Sequence, residues 1–380
     1  MTQKIIINNF IHRVGVHCES SAMRDLFEFL GFNMSEAMAF GLDATLGFGF
    51  FDTTESVSFI PESKIPFFLG GKQGTIDQES LACRLLGISL RKQSFTSADK
   101  AWEESKRLIK QNLPLIIRVD IAYMPYENFV NQLDEAHFGG HAITLAGFDE
   151  EKNIAYVGDT EFEDFQSVPI SILKTARSST YGPKFLYPQN TQFFMTRRPD
   201  GKHPPLAAGI KLAIQKVVNN MLRSSMNYNG IQGLRRFASS ILTWDDKLNK
   251  KVIDSKGHET YLASIMFDLI YGYIETWGTG GACFRNLYKN FLEELLQIPD
   301  IKKGPMAWKN EEIKIIEDCL PILDASRKNW TLFAQSLKIT LEEYNSECLQ
   351  KINLNELHKK VLHIVKNEEI LFKNLSRIKI

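Results

Sequence analysis

A cysteine stands at the start of a predicted helix in residues 15–30. Apolar residues recur at helical spacing after Cys18, and Gly31 follows as the kind of residue that ends helices. A thiol at a helix N-terminus faces unpaired N–H groups and the positive end of the helix dipole. Both favour the thiolate, which is the nucleophilic form. Cys18 is therefore a candidate nucleophile, and the alternative is a buried structural cysteine.

A histidine and an aspartate mark the two ends of a predicted hairpin further along. His141 opens an apolar strand that ends in a Gly/Asp turn, and a return strand over residues 154–158 leads to Asp159. Antiparallel pairing of these strands places His141 near Asp159, as a general base and the group that orients it. The chain order Cys, His, Asp matches papain-like cysteine enzymes, where the cysteine helix packs against the sheet that carries the histidine. The alternative is that His141 is a core residue.

The bulk composition excludes several classes of protein. The chain has 380 residues, and its 45 basic and 45 acidic residues cancel, so nucleic-acid binding driven by net charge is not expected. No apolar run reaches the roughly 18 residues of a membrane span, and the N-terminus lacks a signal-peptide pattern. The five cysteines are widely spaced and odd in number, without a CxxC. This pattern predicts reduced thiols in the cytoplasm, with no disulfides, metal site or cofactor.

The pattern changes near residue 200. Residues 1–200 predict an α+β domain with a helix packed on an antiparallel sheet, whereas residues 201–380 are helical almost throughout and predict an all-α domain. Within the first part, prolines and glycines over residues 61–75 predict a loop. A polar, aromatic stretch over residues 123–138 predicts a flap that leads to His141.

Five further residues are candidates for contact with substrate. Glu36 lies in the first turn of a short predicted helix, either lining a pocket or complementing the helix dipole. His17 precedes the nucleophile, either contacting substrate or pointing away. Gly280 and Gly281 lead into a helix that carries Arg285 one turn in. This arrangement predicts either an anion site or a tight turn that requires glycine.

Short motifs in matching order support a family resemblance. They lie at residues 17–20, 35–37, 40–42, 140–142, 230–238, 278–281 and 284–285. With these motifs the chain resembles the butirosin biosynthesis protein H family. The resemblance implies a papain-like catalytic domain over residues 1–200 and a helical domain over residues 201–380. It also implies acyl transfer from a carrier-protein or CoA thioester to a small amine acceptor through acyl-Cys18, in secondary-metabolite (antibiotic) biosynthesis.

The first domain is also similar in plan to bacteriocin-processing cysteine peptidases. Those enzymes support the oxyanion with a glutamine six residues before the cysteine, and His12 holds that position here (18 − 6 = 12). The resemblance therefore implies that His12 and the Cys18 backbone N–H bind the oxyanion. A cysteine peptidase or amidase with the same triad, or a non-catalytic binding protein, remains as an alternative. The helical domain either closes over the cleft or forms a homodimer interface.

Overall fold

The computed structural model describes residues 4–53, 65–74, 76, 80–127, 137–182, 184–254, 257–304 and 306–380. It divides the chain into two compact units. The first comprises Met1–Ala39 with Thr75–His203, and the second comprises Phe40–Gly74 with Pro204–Ile380. The predicted continuous domain over residues 1–200 differs from this division, because residues 40–74 belong to the second unit.

The strands are β1 (Lys4–Ile6), β2 (Leu46–Asp52), β3 (Phe67–Lys72), β4 (Ile88–Gln93), β5 (Leu115–Val119), β6 (His141–Asp149), β7 (Ile154–Gly158), β8 (Gln166–Pro169), β9 (Gln192–Arg197), β10 (Lys251–Ile253) and β11 (Glu259–Tyr261). The helices are α1 (Cys18–Phe29), α2 (Glu36–Asp43), α3 (Leu81–Leu85), α4 (Ala98–Lys110), α5 (Ile170–Ser178), α6 (Leu206–Leu222), α7 (Gly230–Ile241), α8 (Trp244–Leu248), α9 (Leu262–Tyr271), α10 (Arg285–Leu295), α11 (Pro299–Lys302), α12 (Asn310–Tyr344), α13 (Cys348–Lys351) and α14 (Leu354–Leu375).

The first unit is built on an antiparallel sheet in the order β4-β9-β5-β6-β7-β8, with β1 also paired to β6. Strand β6 is buried along its whole length: β5 and β1 pair with one edge, β7 pairs with the other, and helices α1 and α4 pack against it. Helix α1 packs against β5 and β6. The sheet therefore holds the cysteine helix beside the strand that begins with His141.

The hairpin β6–β7 matches the sequence prediction. Its turn is closed by Asp149, whose Oδ1 accepts the backbone N–H groups of Glu151 at 3.1 Å and Lys152 at 3.0 Å. Asn153 takes a positive φ of 55°, a conformation that asparagine tolerates better than most residues. This local turn chemistry fixes the register of the strand ends next to the turn. A bulge between Leu145 and Gly147 then shifts the pairing by one residue, which brings His141 and Asp159 onto the same face.

In the second unit, helices α6, α7 and α12 pack against the antiparallel pair β2–β3, and α14 packs against those three helices. The rings of Phe48 and Phe50 pack against Phe237, and Phe48 also packs against Trp330. A second antiparallel pair joins β10 and β11. In the described part of residues 201–380 the regular elements are helices apart from this short pair, so the all-α prediction there is wrong only for β10 and β11. The loop prediction is wrong over its described part at residues 67–72, which form β3.

At the coarse level, the fold is mixed α and β, with an antiparallel sheet and a helical C-terminal region, as predicted. Among the described helices, none combines the length and the apolar character that crossing a membrane requires. Residues 128–136 of the predicted flap lie outside the described residues.

Candidate active site

Cys18 is the first residue of α1 and is half-buried, whereas the other four cysteines are buried. The residue before it caps the helix: His17 Nδ1 accepts the backbone N–H of Ser20 at 3.2 Å. Capping satisfies one of the N–H groups that a helix start leaves without an intrahelical acceptor. His17 thus helps to place Cys18 at the helix start, and a contact between its ring and substrate stays a prediction.

Glu36, at the start of α2, holds the loop that leads to Cys18. Its carboxylate accepts the backbone N–H groups of Val16 and His17, both at 2.9 Å, and the Ser20 hydroxyl at 2.8 Å. Burial raises the pKa of Glu36, and these three hydrogen bonds offset only part of that effect. The carboxylate therefore anchors the nucleophile loop, and a place for Glu36 in the lining of a pocket stays a prediction.

His141 and Asp159 meet because of the β6–β7 register. Thr144 pairs with Gly158, so Ile143 would face Asp159 if the ladder ran one residue further. Residues two apart on a strand share a face, so His141 lies on the same face as Asp159. His141 Nε2 lies 2.9 Å from each carboxylate oxygen of Asp159.

Cys18 is the second partner of the His141 ring. Burial by itself lowers the pKa of His141, but the charge and hydrogen bond of Asp159, together with the hydrogen bond and charge of Cys18, outweigh it. The pKa of His141 consequently stands well above its ordinary value of 6.5. Since Nε2 faces Asp159, we expect Nδ1 to be the ring nitrogen that serves Cys18. The structure brings together the three residues that the sequence predicted as a nucleophile, a base and an orienting group.

Two neighbours of Asp159 were not predicted from sequence. The Tyr126 hydroxyl donates to Asp159 Oδ2 at 2.9 Å, and the Thr160 backbone N–H donates to Oδ1 at 2.7 Å. Burial would raise the pKa of Asp159, but the His141 charge and the hydrogen bonds from His141, Thr160 and Tyr126 hold it below its usual value. No periodicity marks Tyr126 in the sequence, because it lies in an irregular stretch.

Glu127 is a further titratable side chain beside this pair. Its carboxylate, the Asp159 carboxylate and the His141 ring each offer an atom within 4.8 Å of the others, a set of donors that could hold a cation. Burial first, and then the Asp159 charge, raises the pKa of Glu127. The site therefore has an acidic side next to His141.

Comparison with known proteins places the chain in a family. One family model, described as Butirosin biosynthesis protein H, N-terminal, matches residues 17–160, and another, described as Domain of unknown function (DUF4872), matches residues 171–375, more than half of the chain. The chain belongs to the butirosin biosynthesis protein H-like family. A search of curated proteins finds no match. The first matched range contains Cys18, His141 and Asp159, and the second begins inside α5 of the first unit.

In this butirosin biosynthesis protein H-like chain, His12 does not have the predicted oxyanion role. Its Nδ1 lies 2.7 Å from the Asp25 carboxylate, and its Nε2 lies 2.9 Å from the Asp159 carbonyl oxygen and 3.0 Å from that of Phe162. Both ring nitrogens are therefore committed to acceptors within the first unit. His12 instead ties the chain segment that carries Asp159 to α1, through Asp25.

The glycines that this family member carries at residues 280 and 281 form a turn. Gly280 and Gly281 have φ values of 65° and 83°, in the region that favours glycine. The Gly281 N–H donates to Thr279 Oγ1 at 3.1 Å, and a Cβ on Gly281 would lie 2.6 Å from Asn286 Nδ2. These contacts support the tight-turn alternative, in place of the predicted anion site.

Arg285, after this turn, is fully buried in the second unit. Its Nε and Nη2 donate to the two Glu368 carboxylate oxygens, both at 2.7 Å, and its Nη1 donates to the Cys283 carbonyl oxygen at 2.7 Å. The guanidinium also lies over the ring of Trp330, 5.4 Å from its centroid. All three guanidinium nitrogens are thus engaged, so Arg285 has a structural role in place of the predicted substrate contact.

Proposed function

We propose that the protein is a cysteine-dependent acyltransferase whose first unit is a papain-like domain. The acyl group would come from a carrier-protein or CoA thioester and pass through acyl-Cys18 to a small amine acceptor, in the biosynthesis of an antibiotic or related secondary metabolite. The observation that carries the proposal is that His141 Nε2 lies 2.9 Å from Asp159 while Cys18, at the start of α1, raises the pKa of the same ring. The family's name, taken from butirosin biosynthesis, supports the biosynthetic setting.

The first half-reaction would move the acyl group onto the enzyme. With Nε2–H donated to Asp159, His141 takes the Cys18 proton at Nδ1 and holds it as an imidazolium, the form that its raised pKa favours. The sulfur attacks the thioester carbonyl carbon, and the tetrahedral intermediate collapses as the donor sulfur leaves and takes a proton from His141. One thioester replaces another, so the step is close to isoenergetic and suits a cysteine nucleophile.

The second half-reaction would form the amide. The acceptor amine attacks acyl-Cys18, His141 takes the amine proton, and the Cys18 sulfur leaves. In both steps negative charge develops on the carbonyl oxygen, and the Cys18 backbone N–H at the start of α1 is the donor we assign to it. Losing a donor of this kind typically costs about 10²–10³ in turnover. Because His12 is engaged elsewhere, no part of this scheme depends on it.

Intact-mass spectrometry of the full chain tests the acyl-enzyme. The protein is incubated with acetyl and butyryl thioesters of N-acetylcysteamine and of CoA, and the expected result is one added acyl group that maps to Cys18. Cys18→Ala should capture none. Cys83→Ser, which alters a buried cysteine of the same unit, should capture as the wild type does. Failure of the wild type to capture any acyl group would favour a non-catalytic binding protein.

Adding amines separates transfer from hydrolysis. Glycine amide, putrescine and an aminocyclitol are each added to the acyl-enzyme, and the products are analysed by chromatography and mass spectrometry. The proposal expects an amide with at least one of them. Free acid as the sole product, at a rate that no amine changes, would contradict it and point to the peptidase or amidase alternative.

A further inference from the structure

Arg118 is a buried residue of β5 that contacts the chain on both sides of the site. Its Nη2 donates to the Glu19 carboxylate, and its Nη1 donates to the Gly140 backbone carbonyl oxygen. Its side chain is 7% exposed and that of Glu19 is 6% exposed, so water competes little for either contact. A buried charged pair needs such hydrogen bonds to offset the cost of removing both charges from water.

The two acceptors of Arg118 are sequence neighbours of the candidate nucleophile and the candidate base. Glu19 directly follows Cys18, and Gly140 directly precedes His141. One planar guanidinium is therefore bonded to the immediate neighbour of the nucleophile and to the immediate neighbour of the base. Because the nitrogens of a guanidinium hold a fixed separation, the two acceptors cannot move apart without breaking a bond.

Glu19 and the backbone of Arg118 are themselves anchored. Glu19 Oε1 also accepts the backbone N–H of Ile76 at 3.2 Å. Arg118 pairs with Ala142 in the β5–β6 ladder, and its backbone N–H donates to the Thr191 carbonyl oxygen at 3.1 Å. From β5, the Arg118 guanidinium is thus hydrogen-bonded both to α1 and to the start of β6.

We infer that Arg118 is a positioning residue that sets the distance between the Cys18 sulfur and the His141 ring. It acts through Glu19 and the Gly140 peptide. The inference rests on the proposed function only in requiring that Cys18 and His141 act as a pair. A misplacement of about 1 Å can cost about 10²-fold in rate, so such a spacer has a measurable effect.

Charge-conserving variants separate this role from simple stabilisation. Arg118→Lys keeps the positive charge but cannot hold both acceptors in one planar fork, and Glu19→Asp keeps the negative charge but shortens the side chain. The matched control is Arg177→Lys. Arg177 is buried in the same unit and donates to Ser105 Oγ and Gln192 Oε1, both at 2.9 Å.

Two measurements on the full chain report the spacing. One is the rate of Cys18 alkylation by iodoacetamide from pH 5 to 9, and the other is the pKa of His141 from NMR of histidine-labelled protein. For Arg118→Lys and Glu19→Asp we expect alkylation near pH 7 to slow about 10-fold or more. We also expect the pKa of His141 to fall, because its contact with Cys18 is lost. Circular dichroism and melting temperature check that each variant is folded.

The outcomes distinguish this inference from the proposed function. Wild-type values for both folded variants would overturn the positioning role while leaving the proposed function standing. An equal decrease of the alkylation rate and of the His141 pKa in Arg177→Lys would also overturn it, because a general loss of rigidity in the first unit would then explain the effect. If the wild type itself shows no raised pKa for His141, the paired site is wrong, and the inference fails with it. Should Arg118→Lys not fold, Glu19→Asp gives the same comparison.

Discussion

His12 donates from Nε2 to the backbone carbonyl oxygen of Asp159, at a distance of 2.9 Å. The same nitrogen contacts the Phe162 carbonyl oxygen, and Nδ1 faces the Asp25 carboxylate. All of these partners are acceptors, so the ring satisfies them best when both nitrogens carry a proton. Burial would lower the pKa of His12, but the Asp25 hydrogen bond and charge, helped by the two carbonyls, raise it above its usual value of 6.5.

The raised pKa predicts how stability depends on pH. A histidine whose folded pKa exceeds its unfolded pKa contributes fully below the unfolded value, about 6.5, and loses that contribution as pH rises through the folded value. His12→Gln should therefore lower the free energy of unfolding more at pH 6 than at pH 9, by about 1.5–3 kcal/mol at the lower pH. Urea denaturation of both proteins at the two pH values measures this difference. An equal loss of unfolding free energy at pH 6 and pH 9 would show that the charged form of His12 does not add to stability.

Asp159→Asn tests the orienting group. Asparagine keeps the size of the side chain but removes the charge that raises the pKa of His141, so we expect that pKa to fall and acyl capture by Cys18 to slow about 10²–10⁴-fold. Asp149→Asn is the matched control, because Asp149 is a buried carboxylate of the same hairpin that accepts turn N–H groups. Equal rates in the two variants would contradict an orienting role for Asp159.

The five cysteines should differ strongly in reactivity. Burial raises the pKa of Cys283 and of Cys319 to about 12, and the pKa of Cys348 to about 11. Cys18 is half-buried and lies against His141. Peptide mapping after brief iodoacetamide treatment near neutral pH should find label on Cys18 at least about 10²-fold ahead of Cys348. Comparable labelling of Cys83 or Cys348 in the folded protein would remove the case for an activated nucleophile.

The hairpin that carries His141 and Asp159 could be predicted because its signals are local. Alternating strands, an Asp-led turn and the helix start at Cys18 are all short-range patterns, and the structure confirms these elements. The roles of His12 and Glu36 could not be predicted in this way. Residue type shows that each can donate or accept, but the partners at Phe162 and Val16 depend on how distant segments pack.

In the second unit too, packing partners that are distant in sequence could not be predicted from local patterns. Residues 46–52 are apolar on both faces, and the helices that cover Phe48 carry Phe237 and Trp330, about 190 and 280 residues further along the chain. A local pattern predicts a buried strand but not which helices bury it. Arg285 likewise pairs with Glu368, 83 residues away, and no spacing rule connects the two.

The Arg285–Glu368 pair supplies the last prediction. Glu368 also accepts from Trp330 Nε1 at 2.8 Å and from the Ser326 hydroxyl at 3.0 Å, so removal of the guanidinium leaves a buried carboxylate with fewer donors. Arg285→Met should therefore lower the free energy of unfolding by about 3–5 kcal/mol, and Arg285→Met with Glu368→Leu should recover part of that loss.

The matched control for that prediction is the exposed pair of Arg235 with Glu369, where Arg235→Met should cost about 0–1 kcal/mol. Urea denaturation measures all three variants. Because every guanidinium nitrogen of Arg285 is engaged within the second unit, the folded fraction of Arg285→Met should keep the wild-type ratio of amide to free acid. A ratio shifted toward hydrolysis, without loss of stability, would contradict the structural role and restore a part for Arg285 in the reaction.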